Sequence, residues 1–174
     1  MLWILTVMAL IVSVVLAVLV GGFATPRKHT AARMITLRAT PDAVWALVRD
    51  VKEYSNWRDD IQSVELSAGN DPRPVWTEIG RTKSISYRAE IDEPPTRFSA
   101  RIMDDDLGYS GEWQYVLSPL DGGTRVTITE VGEVSNPVFR FFGNFLGHTS
   151  AIDAFLSDLA AELREHVKPQ PVTA

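Results

Sequence analysis

Residues 2–24 carry no charged side chain, and only Thr6, Ser13, Gly21 and Gly22 interrupt the aliphatic and aromatic run. As a helix rising about 1.5 Å per residue, this stretch spans about 34 Å, enough to cross a hydrocarbon core of about 30 Å with some tilt. Trp3 and Phe23 stand near its ends, where interfacial aromatics are favoured. Beyond it the pattern becomes that of a water-soluble domain. Residues 29–39 alternate in part and predict a strand. Thr40-Pro41-Asp42 predicts a helix start, with Thr40 as N-cap, Pro41 at the first helical position and an acid in the first turn. Val44, Leu47, Val48 and Val51 then form an i, i+3, i+4, i+7 stripe. A short second helix or turn is predicted over 51–57.

The period then changes to two, predicting strands at 61–68, 74–80, 82–92, 97–103, 112–117 and 125–134. Ile85, Tyr87, Ala89 and Ile91 share one face, as do Phe98, Ala100 and Ile102, then Trp113, Tyr115 and Leu117, then Val126 and Ile128. Pro94-Pro95 marks a break, and Asp121-Gly122-Gly123 a hairpin turn. Asn136-Pro137 opens a helix by the same capping logic. It is predicted to run as one long element to about residue 167, stopping before Pro169. Phe142, Phe145, Thr149, Ile152, Leu156, Leu159 and Leu163 form its expected buried stripe. A sheet with one apolar face and a long amphipathic helix must bury those faces on each other. The expected class is α+β, a curved antiparallel sheet wrapped around the C-terminal helix, with a cavity between them.

The chain has 174 residues, 45% of them hydrophobic, and the apolar excess is concentrated in the first segment. The absence of cysteine excludes disulfides, a thiolate nucleophile and Cys-ligated zinc. Three histidines argue against a His-rich metal site, and neither metal nor cofactor is expected. A net charge of −5, with no charge before Arg27, argues against nucleic acid as a partner. There is no P-loop, Rossmann glycine pattern, G-x-S-x-G or H-E-x-x-H.

Arg27, Lys28, Arg33 and Arg38 follow the apolar span, which places the domain on the cytoplasmic side by the positive-inside rule. A cleaved signal peptide competes, since Gly22-Phe23-Ala24 offers small residues near a cleavage point. The segment lacks a basic n-region, however, and is longer than the usual h-region of about 7–15 residues, which favours a retained single-pass anchor.

Ala39-Thr40-Pro41-Asp42-Ala43-Val44-Trp45, Tyr54-Ser55-Asn56-Trp57 and Gly123-Thr124-Arg125-Val126-Thr127-Ile128-Thr129-Glu130 resemble the START-like, or SRPBCC, superfamily with its helix-grip fold. The match is to its polyketide cyclase/dehydrase and lipid-transport branch, and residues 142–159 resemble the family's terminal helix. The resemblance covers roughly residues 30–167. It implies a domain at 30–168; the apolar span adds a transmembrane anchor (1–24) and a juxtamembrane linker (25–29), and a C-terminal tail (169–174) follows. The resemblance also implies a hydrophobic ligand, since members bind lipids, sterols, polyketides and plant hormones. A minority are cyclases, dehydratases or subunits of hydroxylating enzymes. Rieske-type members need Cys and His ligands that this chain lacks.

Six residues are candidates for the ligand site: Tyr87, Trp113, Tyr115, Glu130, Phe142 and His148. Tyr87, Trp113 and Tyr115 lie on apolar strand faces and would form aromatic walls with polar tips, or else plain core. Glu130 shares parity with Val126 and Ile128. It would accept a ligand hydroxyl or act as a general base, unless a bulge near Gly132 or an ion pair with an arginine claims it. His148 is either an acid/base partner of Glu130 or a packing residue of the helix. Phe142 belongs to an aromatic cluster, residues 139–147, that reads as a bilayer-facing portal or as core. Trp57 is expected to cap the cavity or the core beside the second helix. Asp104-Asp105-Asp106 reads as a solvated loop.

Three functions compete. The leading one is a membrane-anchored binding domain for a lipid, isoprenoid or polyketide-like molecule, with the bilayer as its second partner. The second is a cyclase or dehydratase using Glu130, His148 and Tyr87 as acid and base, which requires the three to converge on one cavity. The third is a non-catalytic domain that docks a membrane partner.

Overall fold

The computed structural model describes residues 2–69, 71–104, 107–146 and 149–172. Helix α1 (Leu2–Ala24) is the apolar segment. It is followed by β1 (Lys28–Leu37), α2 (Pro41–Arg49), a 3-10 turn (Val51–Glu53) and α3 (Tyr54–Trp57). Six strands come next: β2 (Ile61–Leu66), β3 (Val75–Gly80), β4 (Ser84–Glu93), β5 (Arg97–Ile102), β6 (Tyr109–Leu120) and β7 (Gly123–Val134). Helices α4 (Pro137–Leu146) and α5 (Ser150–Glu162) and a short strand β8 (Gln170–Pro171) complete the chain. The strands form one antiparallel sheet ordered β2-β3-β4-β5-β6-β7-β1-β8. The sheet curves around α5, as the alternating pattern predicts, and this is the helix-grip architecture that the resemblance implies.

Local chemistry sets the element ends. Thr40 caps α2 by accepting a hydrogen bond from the Ala43 N–H at 3.4 Å, with Pro41 at the first turn. The β6–β7 turn depends on Gly122 at φ 79°, a left-handed conformation that favours glycine. The next residue, Gly123, abuts β1 so closely that a Cβ there would sit 2.0 Å from the Leu37 carbonyl oxygen.

The core lies between the concave face of the sheet, α2 and α5. Val44 and Val48 of α2, Val126 and Ile128 of β7, and Ile152, Leu156 and Leu159 of α5 are wholly buried. Each such side chain contributes about 1.5–3 kcal/mol relative to exposure. Polar ties hold α5 in register with β1 at both ends. Arg33 reaches Asp153 at 3.0 Å and donates to the Thr149 hydroxyl at 3.3 Å. At the far end the buried Glu165 carboxylate accepts the N–H groups of Arg38 and Ala39 at 2.9 and 3.1 Å. The convex face is polar, with Arg73, Arg88, Arg101, Glu90 and Glu112 linked in ion pairs. Each such surface pair contributes only about 0–1 kcal/mol.

The long C-terminal helix expected from the sequence is two helices. Gly143 weakens helical continuity in α4, at about 1 kcal/mol relative to alanine. The apolar residues of the two helices serve different partners. Helix α5 packs in the grip, whereas α4 packs against the end of α1. Phe142 is therefore not part of the buried stripe, and its side chain is 49% exposed. Helix α5 also ends earlier than predicted. Arg164 takes a left-handed φ of 57°, and the N–H groups of Arg164 and Glu165 bond back to the carbonyls of Ala161 and Ala160. This is a Schellman closure with arginine in the position usually held by glycine. Strand β8, pairing with Arg33 and Met34, has no counterpart in the sequence reading. Trp57 packs edge-on against Tyr54 and Phe155, at the core beside α3.

Candidate functional site

Strand parity places the site. Trp76 and Glu78 of β3 lie opposite Tyr87 and Ile85 of β4, and Trp113 of β6 lies opposite Ala100 of β5. All face the concave side, and the small Ala89 and Ala100 leave room between the larger residues. A cavity of about 600 Å³ opens at one end of the sheet. Its rim is formed by residues 58–61 and 80–83 together with Ala151 at the start of α5, and its walls by Glu78, Ile85, Tyr87 and Trp113. A deeper recess of about 30 Å³ shares Arg58, Glu78, Tyr87 and Trp113 and adds Tyr54, Trp76, Ala100 and Tyr115. The aromatic rings stack on one another. Trp76 lies on Tyr87 with centroids 5.7 Å apart, and Tyr115 meets Phe155 of α5 at 5.4 Å.

A polar cluster lies where the cavity meets the recess, and Asp59, Arg81, Thr82 and Lys83 add polar groups at the rim. Arg58, just beyond α3, lies over the rings of Tyr54 and Phe155, 5.2 Å from each centroid. Its guanidinium donates to Glu78 at 3.0 Å and to both oxygens of Asp60 at 3.2 and 2.9 Å. Glu78 also accepts the Trp76 indole N–H at 3.1 Å. Burial pushes the Glu78 carboxyl above its ordinary range, opposed by Arg58 and by the Trp76 hydrogen bond. For Arg58, burial works to lower the pKa, but attraction to Glu78 and Asp60 outweighs it and holds the cation. Burial also raises the hydroxyls of Tyr87 and Tyr115, keeping both neutral and able to donate. The cluster thus sets an arginine, its fork held by Asp60, and a carboxyl beside the aromatic rings of Tyr87 and Trp113. It suits a ligand with one polar group on an apolar body. Among the described residues, no three His, Asp or Glu side chains are arranged to hold a metal ion.

The six candidate residues separate. Tyr87 and Trp113 line both the cavity and its recess, and Tyr115 lines the recess. Glu130 lies opposite Trp113 on the concave face but lines neither space. Its carboxylate lies 3.5 Å from His29 Nε2, so its neighbour is a histidine rather than an arginine. Phe142 sits on the exposed side of α4, outside both linings. His148 lies outside the described residues. Sequence reasoning missed Arg58, Glu78, Tyr54 and Trp76. Glu78 carried a readable signal, a carboxylate two residues from Trp76 on an alternating strand and therefore on its face. Arg58 carried none, because it lies in a non-periodic connection.

Helix α1 is long and apolar enough to cross a membrane, with a mean hydropathy of 2.9 over residues 3–24; a signal sequence has the same character.

The sequence profile of the family described as polyketide cyclase/dehydrase and lipid transport matches residues 28–164. No curated protein matches the chain. Solved structures similar to it include an aromatase/cyclase from a Streptomyces species, at 14% identity and a TM-score of 0.64, covering 79% of this chain and 94% of that one. A START superfamily protein from Mycobacterium smegmatis aligns at 16% identity and 0.61, covering 78% and 97%. Norcoclaurine synthase from Thalictrum flavum aligns at 10% and 0.64, covering 84% and 92%. At these identities the structural likeness concerns the fold. The helix-grip topology and the profile match together lead to one conclusion: the chain belongs to the polyketide cyclase/dehydrase and lipid transport family and has the START-like helix-grip fold.

Proposed function

We propose that this chain is a membrane-anchored binding domain that holds a hydrophobic small molecule, of lipid, isoprenoid or polyketide-like class, between its sheet and α5. The observation that carries the reading is the cavity of about 600 Å³, walled by Tyr87, Trp113 and Ile85, with the polar cluster Arg58–Glu78–Asp60 inside it and Arg81 and Lys83 on its rim. That volume lies in the range typical of small-molecule sites, about 300–1,000 Å³. The apolar body of the ligand packs on Trp113 and Tyr87, with Tyr115 at the recess. Its polar group meets Arg58 and Glu78. Helix α1 holds the domain beside the bilayer, which shortens the path of a ligand with low aqueous solubility. The basic residues Arg27 and Lys28 after the span support a cytoplasmic location.

The cyclase or dehydratase reading has less support. Tyr87 faces the cavity, whereas Glu130 lies beside His29 and lines neither space. The test is native mass spectrometry of the full chain released from detergent micelles, with organic extraction of what co-purifies. The expected result is one amphipathic, largely apolar molecule per chain. A chain that carries no adduct, and takes none up from an added total lipid extract, would overturn the reading.

A further inference from the structure

The end of α1 is built into the domain. Gly21 and Gly22 form a flat surface against α4. A Cβ at Gly22 would lie 1.9 Å from the Pro137 carbonyl oxygen, and one at Gly21 would lie 2.7 Å from the Phe141 ring. Arg140 of α4 is buried at this junction, where its guanidinium donates to the Thr25 carbonyl at 3.1 Å and lies 5.7 Å from the Phe23 ring centroid. A cation is thus held at the carbonyl end of the apolar helix, the sign that its dipole favours.

With its inner side spent on α1, α4 presents Phe139 and Phe142, three residues apart on one face, 54% and 49% exposed. The neighbouring Phe23 and Val20 on α1 are also exposed. The register places the cavity mouth at this same end of the sheet. Gly80 ends β3 and Ser84 begins β4 there, where Tyr109 begins β6, Val134 ends β7 and Lys28 begins β1. Lys83 on the rim donates to the Tyr109 hydroxyl at 2.9 Å, linking the mouth to the strand end beside α4.

We infer that α4 is an interfacial helix. Its Phe139 and Phe142 enter the bilayer that holds α1, and the Gly21-Gly22 junction fixes the domain so that the cavity mouth faces that bilayer. The inference rests on the anchored reading of α1, and it commits to lipid as the occupant of the exposed face of α4. A helix lying in the interface buries its apolar face about 5–10 Å into the headgroup boundary.

The chain has no cysteine, so single-cysteine labelling is clean. Full-length chain is reconstituted in phosphatidylcholine/phosphatidylglycerol nanodiscs, with a bimane label at F139C, F142C, V12C or V116C. Val12 lies in α1, and Val116 is an exposed residue of β6. Spin-labelled lipids then report depth by quenching. Position 12 should be quenched by chain-terminal nitroxides, positions 139 and 142 by headgroup-proximal ones, and position 116 by neither. Positions 139 and 142 behaving like 116 while 12 is quenched would overturn the inference and leave the anchor standing. An unquenched position 12 would remove both. Adding Gly22→Val, which drives a Cβ into the Pro137 carbonyl, should reduce the quenching at 139 with position 12 unchanged. Quenching unaffected by that substitution would overturn the role of the junction.

Discussion

Glu78 concentrates the electrostatics of the site in one side chain. It is buried among Trp76, Arg58 and Tyr87, and burial raises its pKa above the ordinary 4.5. The folded chain therefore holds this proton more tightly than the unfolded chain. The stability that follows is fully present below about pH 4.5 and is lost as the pH rises through the raised value. Glu78→Gln cannot titrate. The stability of the natural chain relative to Glu78→Gln is accordingly expected to fall from about pH 4 toward neutrality. Urea denaturation of both chains in detergent, followed by tryptophan fluorescence at several pH values, measures this difference. A difference that is flat with pH, or that rises, would show that Arg58 rather than burial governs the carboxyl.

At the scale of elements, α5 is the piece on which the grip closes. Phe155 touches Tyr54, Trp57, Trp113 and Tyr115 at once and is buried. Phe155→Ala removes the ring under both the core and the recess and is expected to cost about 4 kcal/mol, seen as a lowered urea midpoint. A loss below about 1 kcal/mol would mean that the grip does not depend on this contact. The elements were legible where the pattern was local. Thr40-Pro41-Asp42 announced α2, and the alternation over Ile85, Tyr87 and Ala89 announced β4 and its inner face. The C-terminal helix was misjudged for a physical reason. Amphipathic spacing shows that a face is apolar but not what covers it, and α4 turns its apolar residues toward α1 and outward while α5 turns its own into the grip. The same limit applies to single residues. Parity put Tyr87, Trp113, Tyr115 and Glu130 on the concave face. Only the folded register shows that His29, from the far end of the chain in sequence, reaches Glu130.

At the scale of the whole molecule, the helix grip brings residues far apart in sequence to one opening. Arg58 from a connection, Glu78 and Tyr87 from neighbouring strands, Trp113 from β6 and Ala151 from α5 meet around a single cavity. Tyr87 and Trp113 supply its aromatic wall, with Ile61 and Ile85 beside them. The account stands or falls on whether that cavity is where the ligand resides. Ala151 is exposed at the rim, on the first turn of α5, so Ala151→Trp should block the mouth while leaving the core intact. The most direct test is native mass spectrometry of the full-length natural chain beside Ala151→Trp, with their melting temperatures compared. The account predicts one apolar adduct per natural chain and its loss from Ala151→Trp, with equal melting temperatures once both chains have been stripped of ligand. Equal occupancy in the two chains would place the ligand outside the cavity and contradict the account.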